Sequence, residues 1–497
     1  MEAHSSKESR VYFFFLALVV VFVSLYTTPR LFIESLWPDE ALYAWLAKNA
    51  DFSFRTLFSN EFIERQPPLF PVILSLAQSI HPFSDVALRV ISFVLGVGGI
   101  VASFYAGKWI GGSDFIAAFC AMGVGFSFCF LSVLPRILSD GALMMFFLLF
   151  MLSLFKALKS PSWQGHVLVG LLGVCLILLK WSGSLCLPIM LGCYWFQPHS
   201  GIRSRAVIPA AMVLAVLLLL LLNNFVHLGS VFPDVTALQG AISNGPPWFY
   251  LEHFDRISPF PSGSLFVFFG LFIIWKNRHP QRALITTWFL LTFFSVSLAG
   301  EKNTRYAFLF LPSATLLIAV FCEYLIAAFF KTEFIRRSFK IGVCLCFFIM
   351  ALGNVQAFEL GPKDHSYTGF REAGEYIRSL RGTHLNIFAD SQRALRYYSG
   401  IEYKKYGGYL SSLPRSEPDL KTIVAQSSGT VAFVIDSWEY TQPDWAYPLT
   451  PEKQERIEGL GFRLARVVEK PVFFSGRTEG GAIFQPVIWV FIAGDLH

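Results

Sequence analysis

Residues 11–26 read VYFFFLALVVVFVSLY, without a single charge, and residues 206–222 read AVIPAAMVLAVLLLLLL. Such runs are too long and too bare of charge for ordinary core helices, and a bilayer crossing needs about 20 apolar residues. In hydrocarbon the backbone must satisfy its own polar groups, so runs of this kind can fold only as helices. Similar apolar segments recur near residues 86–107, 114–133, 137–155, 166–196, 263–275, 283–299, 305–330 and 339–358. With 54% hydrophobic and 15% charged residues, the composition excludes a soluble globular chain and points to a polytopic α-helical membrane protein. No A-x-A-like cleavage site follows the first run, which continues into TTPRLFIESLW, so it reads as the first span rather than a removed signal peptide.

The formal charge of +6 does not imply nucleic acid as a partner, because the basic residues are dispersed among short loops between apolar segments. KALKS, GIRSR, WKNRHPQR and KTEFIRRSFK should face the cytoplasm. Counted from a cytoplasmic SSKESR, all four loops fall inside only if residues 166–196 form two short helices turning near Lys180. Loops 29–85, 226–262 and 300–304 and the tail from residue 360 then lie outside, with roughly 11 spans in all. The proline-bounded PPLFPVILSLAQSIHPF suits an amphipathic helix in the outer interface. All eight cysteines lie in apolar stretches without CxxC spacing, which indicates buried hydrophobes and no disulfide framework. No internal repeat stands out.

Two domains follow: a transmembrane domain, residues 1–359, containing a first extracytoplasmic loop at 29–85, and a soluble extracytoplasmic α/β domain, residues 360–497. In the second, GFREAGEYIRSLRG has helical spacing, HLNIFAD and TVAFVID read as buried strands, and EKQERIEGLGFRLARVVEK reads as helix then strand.

Four charged clusters fall at the expected outer face. SLWPDEALYAW places Asp39 and Glu40 after Pro38, a pattern that a helix start explains without chemistry. IERQPPLFP carries Glu64 and Arg65, which a surface ion pair would explain. LPRILSDGALMMFF carries Arg136 and Asp140, four apart, which an i,i+4 helical pair would explain. AGEKNTRYAFLFLPSATLLIA brings Lys302, Arg305 and Tyr306 to the lip of a span, where snorkelling is the simple account. Their convergence with Lys180 on one face changes the balance. Cations can clamp a phosphate there and a carboxylate can deprotonate a hydroxyl, the groups needed to handle a lipid-linked phosphate.

In order and spacing, PDEALYAWLA, RQPPLFPVIL, DVALRVISFVLG, RILSDGALMMFF and KNTRYAFLFLPSATLLIA resemble the GT-C-fold glycosyltransferases that use polyprenyl-phosphate sugars. That group contains aminoarabinose transferase of lipid A modification and the dolichyl-phosphate-mannose protein mannosyltransferases. The resemblance implies a GT-C-like membrane domain with interfacial helices. It implies transfer of a sugar, with inversion, from a polyprenyl-phosphate carrier to a lipid, glycan or protein acceptor outside the cytoplasm, as in lipopolysaccharide or protein glycosylation of the cell envelope. Asp39 matches the group's first-loop aspartate as general base or orienting charge, with Glu40 and Tyr43 following in the same pattern. Leu42 stands where aminoarabinose transferase has an arginine, which argues against that particular sugar. Arg65, Lys302 and Arg305 would stabilise the departing lipid phosphate, and Lys180, Arg136 and Asp140 would bind substrate or tie helices together. The E-K-P pattern aligns either Arg65 and Gln66, counted from Pro67, or Glu64 and Arg65 with one insertion. A divalent metal held by such a glutamate and a later histidine, His227 or His253, is left open. The oligosaccharyltransferase signature W-W-D-Y-G is absent, and the lack of an Asn-x-Ser/Thr sequon suits a bacterial inner membrane. The other classes the charge pattern allows are a transporter or lipid flippase, which would want mid-membrane charges or inverted repeats, and a non-catalytic assembly protein. We predict from the basic loops that a reporter fused after His497 is active only if it works outside the cytoplasm; activity of a cytoplasm-only reporter would overturn this topology.

Overall fold

The computed structural model describes residues 2–32, 36–49, 67–81, 84–196, 205–225, 246–260, 263–298, 304–360, 369–380, 385–400, 410–411, 413–416, 418–419, 421–422, 430–437, 442–469 and 487–493. The chain divides into two compact units: residues 1–31, 50–76 and 89–359, and residues 32–49, 77–88 and 360–497. The helix that follows the first span is therefore grouped with the tail.

Helices make up the first unit, two of which, Leu69–Ile80 and Asp85–Ala106, belong to it only in part. They are α1 (Glu2–Leu31), α3 (Leu69–Ile80), α4 (Asp85–Ala106), α5 (Asp114–Gly125), α6 (Phe128–Val133), α7 (Ser139–Lys159), α8 (Trp163–Leu179), α9 (Cys186–Trp195), α10 (Val207–Phe225), α11 (Gly263–Lys276), α12 (Arg282–Leu298), α13 (Leu311–Phe329) and α14 (Glu333–Leu360). Among the described residues, four helical segments are long and apolar enough to cross a membrane: Ser9–Leu31, Asp85–Gly111, Ser139–Lys159 and Leu311–Phe329. Six further apolar helices are shorter. Phe14, Leu25, Leu171 and Phe272 are exposed on their helices, whereas Val19, Phe150, Leu176 and Trp288 are buried, so the apolar surface points outward as well as inward. That pattern belongs to a helix set solvated by lipid.

Breaks in the helices have local causes. The apolar run 114–133, read as one segment, is two helices because Ser127 caps the second, its hydroxyl accepting from Phe130 N–H at 3.4 Å. The run 305–330 begins as a 3₁₀ turn, Thr304–Leu309, and α13 proper starts at Leu311 with Pro312 in its first turn. The run 166–196 is broken at Lys180, as the loop charges require. Where α7 starts, a Cβ on Gly141 would lie 3.3 Å from the Cα of Gly96 on α4. Small residues let the two backbones meet there, and Asp140, one residue before, is placed by that crossing.

In the second unit, α2 (Pro38–Asn49) packs on α16 (Gln392–Ser399). Further helices of this unit are α15 (Phe370–Ser379) and α17 (Pro451–Gly459). Strands β1 (Leu385–Ala389), β2 (Leu410–Ser411), β3 (Thr430–Asp436), β4 (Arg463–Glu469) and β5 (Val487–Ala493) form a sheet in the order β2-β1-β3-β5-β4. β1 runs parallel to β2 and β3, with Ile387 beside Leu410 and Ala432. β5 runs antiparallel to β3 and β4, with Phe433 beside Phe491. β3 is buried along its whole length, as its unbroken apolar sequence requires of a central strand. Phe433, Ile435, Ile457, Phe462 and Phe491 form the core on one face of the sheet. HLNIFAD and TVAFVID thus become β1 and β3, and the helix-then-strand segment becomes α17 and β4.

Asp85 anchors the packing of α15 and α16. Only 1% exposed, its Oδ2 accepts from Arg371 Nη2 and from Tyr398 Oη, each at 2.6 Å. Burial works against the charge on Arg371, but Asp85 and Tyr398 outweigh it and raise its pKa above the ordinary arginine value. Asp85→Ala leaves the guanidinium and the phenol without this acceptor. We predict a loss of about 2 kcal/mol, because hydrogen bonds to a buried charge are worth roughly 1.5–3 kcal/mol. Tyr398→Phe, which removes one of the two bonds, should lower the melting temperature in detergent by less than Asp85→Ala does.

Candidate active site

One end of the first unit holds a cavity of about 490 Å³. α7 runs away from it, from Asp140 to the basic segment at Lys156 and Lys159, and α8 returns from Trp163 to Leu179 beside it. α12 likewise starts at Arg282, after the basic loop at 276–282, and reaches the cavity at Ser295 and Val296. The cavity therefore lies at the end of these helices opposite the basic loops. Leu143, Leu185, Val296, Phe308 and Leu309 give apolar walls, and Asp140, Lys180, Arg305, Tyr306, Ser182, Ser184 and Ser295 supply polar groups.

Lys180 enters through a helix break. α8 ends at Leu179, Lys180 is extended (φ −162°, ψ 144°), and the 3₁₀ turn Trp181–Leu185 follows. The turn lies directly on α8: a Cβ at Gly183 would fall 2.1 Å from the Leu176 carbonyl oxygen, so only glycine fits. Lys180 Nζ reaches Asp140 Oδ1 at 2.7 Å, with side chains 19% and 5% exposed. It also lies 5.5 Å from the Tyr306 ring centroid, and Arg305 Cζ lies 5.4 Å from the same ring. Two cations thus lie close to one aromatic ring in the lining of the cavity.

The partner of Asp140 is therefore Lys180, forty residues away, and not Arg136 by an i,i+4 helical bond. Arg136 lies in the loop before α7, where no helical register relates it to Asp140; its backbone bonds are those of a turn, N–H to Val133 O and carbonyl from Leu138 N–H. It is half-buried and does not line the cavity.

Asp39, Glu40 and Tyr43 lie on α2 in the second unit. Glu40 is 3% exposed and its Oε2 accepts from Trp37 N–H at 3.0 Å, the returning half of a capping box. That gives Glu40 a helix-start role. Tyr43 is buried. Asp39 is the accessible acid of the pair, 33% exposed, and its Oδ1 accepts from Arg393 Nη1 of α16 at 2.9 Å. Glu64, Arg65 and Lys302 lie outside the described residues, as does His227. His253 Nδ1 lies 3.0 Å from the Phe249 carbonyl and its ring stacks on Phe249 at 4.3 Å. Among the described residues no three His, Cys, Asp or Glu side chains form a metal-ligand set.

Sequence spacing did not reveal Trp181, Ser182, Ser184 and Ser295, nor Arg393; the signal for the first three was the helix-breaking WSGS after Lys180.

The chain has the GT-C fold of the solved structures that it matches. ArnT from Cupriavidus metallidurans, an aminoarabinose transferase, matches in its apo state with a TM-score of 0.59 at 14% identity, over 95% of this chain and 97% of that one. The same protein bound to undecaprenyl phosphate matches with a TM-score of 0.57 at 13% identity, over 96% and 97%. The apo oligosaccharyltransferase of Archaeoglobus fulgidus gives 0.52 at 9% identity, over 86% and 69%. No family profile and no curated protein sequence matches the chain.

The Lys180–Asp140 pair makes a direct prediction. Lys180→Met strands a nearly buried carboxylate and should cost about 3 kcal/mol, since breaking a buried pair typically costs 3–5 kcal/mol. Adding Asp140→Asn should recover part of that loss, with a coupling of about 1–3 kcal/mol between the sites. Thermal melts of the two single variants and the double variant read the coupling; simple additivity would show that the pair is not coupled.

Proposed function

We propose that this chain is an integral membrane glycosyltransferase of the bacterial inner membrane. In this reading it moves a sugar from a polyprenyl-phosphate carrier to a lipid, glycan or protein acceptor on the extracytoplasmic side, with inversion. The cavity is the observation that carries the reading. Lys180 and Arg305 around Tyr306 suit a lipid phosphate, the apolar walls suit the isoprenoid that follows it, and the serines suit sugar hydroxyls. The GT-C fold supports it, as does the match to a structure bound to undecaprenyl phosphate. The position of the cavity opposite the basic loops agrees with a donor that arrives from the outer leaflet.

The cations would stabilise charge on the phosphate as the sugar leaves. Asp140, 5% exposed and held by Lys180, orients that lysine. The acceptor-handling acid is Asp39, which is accessible, while Glu40 is occupied by its own helix start. Asp39 would take the acceptor's proton, or orient it if the acceptor is already a phosphate. Arg65 and Lys302 keep the phosphate role that the resemblance gives them.

The test is transfer from a purified polyprenyl-phosphate sugar in nanodiscs, beside a thermal melt for each variant. Arg305→Met should lower the rate by about 10²-fold, as for loss of a transition-state donor. Asp39→Asn should lower it by roughly 10²-fold or more with little change in melting temperature. Glu40→Gln keeps a capping partner for Trp37 N–H and should stay within a few-fold of wild type. A well-folded Asp39→Asn enzyme at full rate would remove Asp39 from the reaction.

A further inference from the structure

Asp39 belongs to the same compact unit as the tail, and it is held there by a residue that no motif singles out. Arg393, near the start of α16, donates Nη1–H to Asp39 Oδ1 at 2.9 Å. The two residues are 354 positions apart in sequence. A carboxylate in the first turn of a helix can turn toward the helix's own N–H groups or away from them, and a guanidinium fixed at one oxygen restricts that choice.

Arg393 can do this only if its own helix is fixed, and α16 is anchored at several points. Tyr398 Oη donates to Asp85 at 2.6 Å. Gln78 Nε2 donates to Tyr397 Oη at 3.3 Å, and burial raises the Tyr397 phenol above its ordinary range, so it remains neutral. Arg396, nearly one turn beyond Arg393, lies with its Cζ 4.2 Å from the centroid of the Trp45 ring on α2. The Trp45 contact and the Asp39 pair sit at two heights along α2 and fix its rotation against α16. Side chains 45% and 33% exposed make the Arg393–Asp39 pair worth little to stability, which separates a stabilising role from an orienting one.

We infer that Arg393 is a positioning residue for the transfer reaction, its guanidinium holding the Asp39 carboxylate in the orientation that meets the acceptor. This rests on the proposed role of Asp39.

The experiment measures transfer by the full-length protein in nanodiscs with a purified polyprenyl-phosphate sugar donor, for wild type, Arg393→Gln, Arg393→Lys, Asp39→Asn and the Asp39→Asn/Arg393→Gln double variant. The expected result is a fall in kcat of about 10-fold for Arg393→Gln, with the donor KM and melting temperature close to wild type. Arg393→Lys should recover part of the loss. In the Asp39→Asn background Arg393→Gln should cost nothing further, because a residue that acts through Asp39 has nothing left to position. Full activity of Arg393→Gln, or the same 10-fold loss carried into the Asp39→Asn background, overturns the inference while leaving the glycosyltransferase reading in place. A folded wild-type protein that transfers no sugar from any polyprenyl-phosphate donor tried overturns that reading, and the inference falls with it.

Discussion

The fold depends on one constraint: inside hydrocarbon, every backbone N–H and C=O must find its partner within the protein. Long apolar segments therefore become helices, and irregular backbone is tolerated only where protein surrounds it or a cavity relieves it. The break at Lys180 with its 3₁₀ turn, and the turn Thr304–Leu309 before α13, both contribute side chains to the cavity. Each break leaves helical ends that need neighbours, and each brings cations or serines to a place that an unbroken helix could not reach. The site is built where the membrane rule is relaxed.

Much of this architecture was legible in the sequence because it depends on patterns rather than on particular contacts. Apolar runs gave the helices, and the parity of basic loops required the break inside residues 166–196. Short, mainly apolar stretches between polar flanks gave β1 and β3. Pairings across long separations were not legible. Asp140 is four residues from Arg136, and local spacing suggested that pair; helix geometry instead starts α7 after Arg136 and gives Asp140 to Lys180. Glu40, which follows Asp39 in the family pattern, caps its own helix, a role that the helix-start reading of PDE already allowed. Arg393, Arg371 and Tyr398 sit in an ordinary amphipathic stretch of the tail, and nothing in their spacing marks Asp39 or Asp85 as their partners.

Identities of 9–14% with structures of the same fold show how weakly the fold depends on particular side chains. Lipid-facing positions need only be apolar, and buried ones need only the right volume. The close approach of Gly141 to Gly96 and the seat of Gly183 on α8 are different, because there any larger residue meets backbone. Such positions carry geometric information that hydropathy does not.

The packing of α2 on α16 also has a consequence for the order in which the molecule can be made. α2 leaves the ribosome soon after the first span, whereas its partner helix is synthesised some 354 residues later. At typical elongation rates of about 5–20 residues per second, roughly 20–70 s separate the two. Through that interval Trp45 and Asp39 have no α16 to meet. The contact between these two helices can therefore close only once residue 399 has been translated.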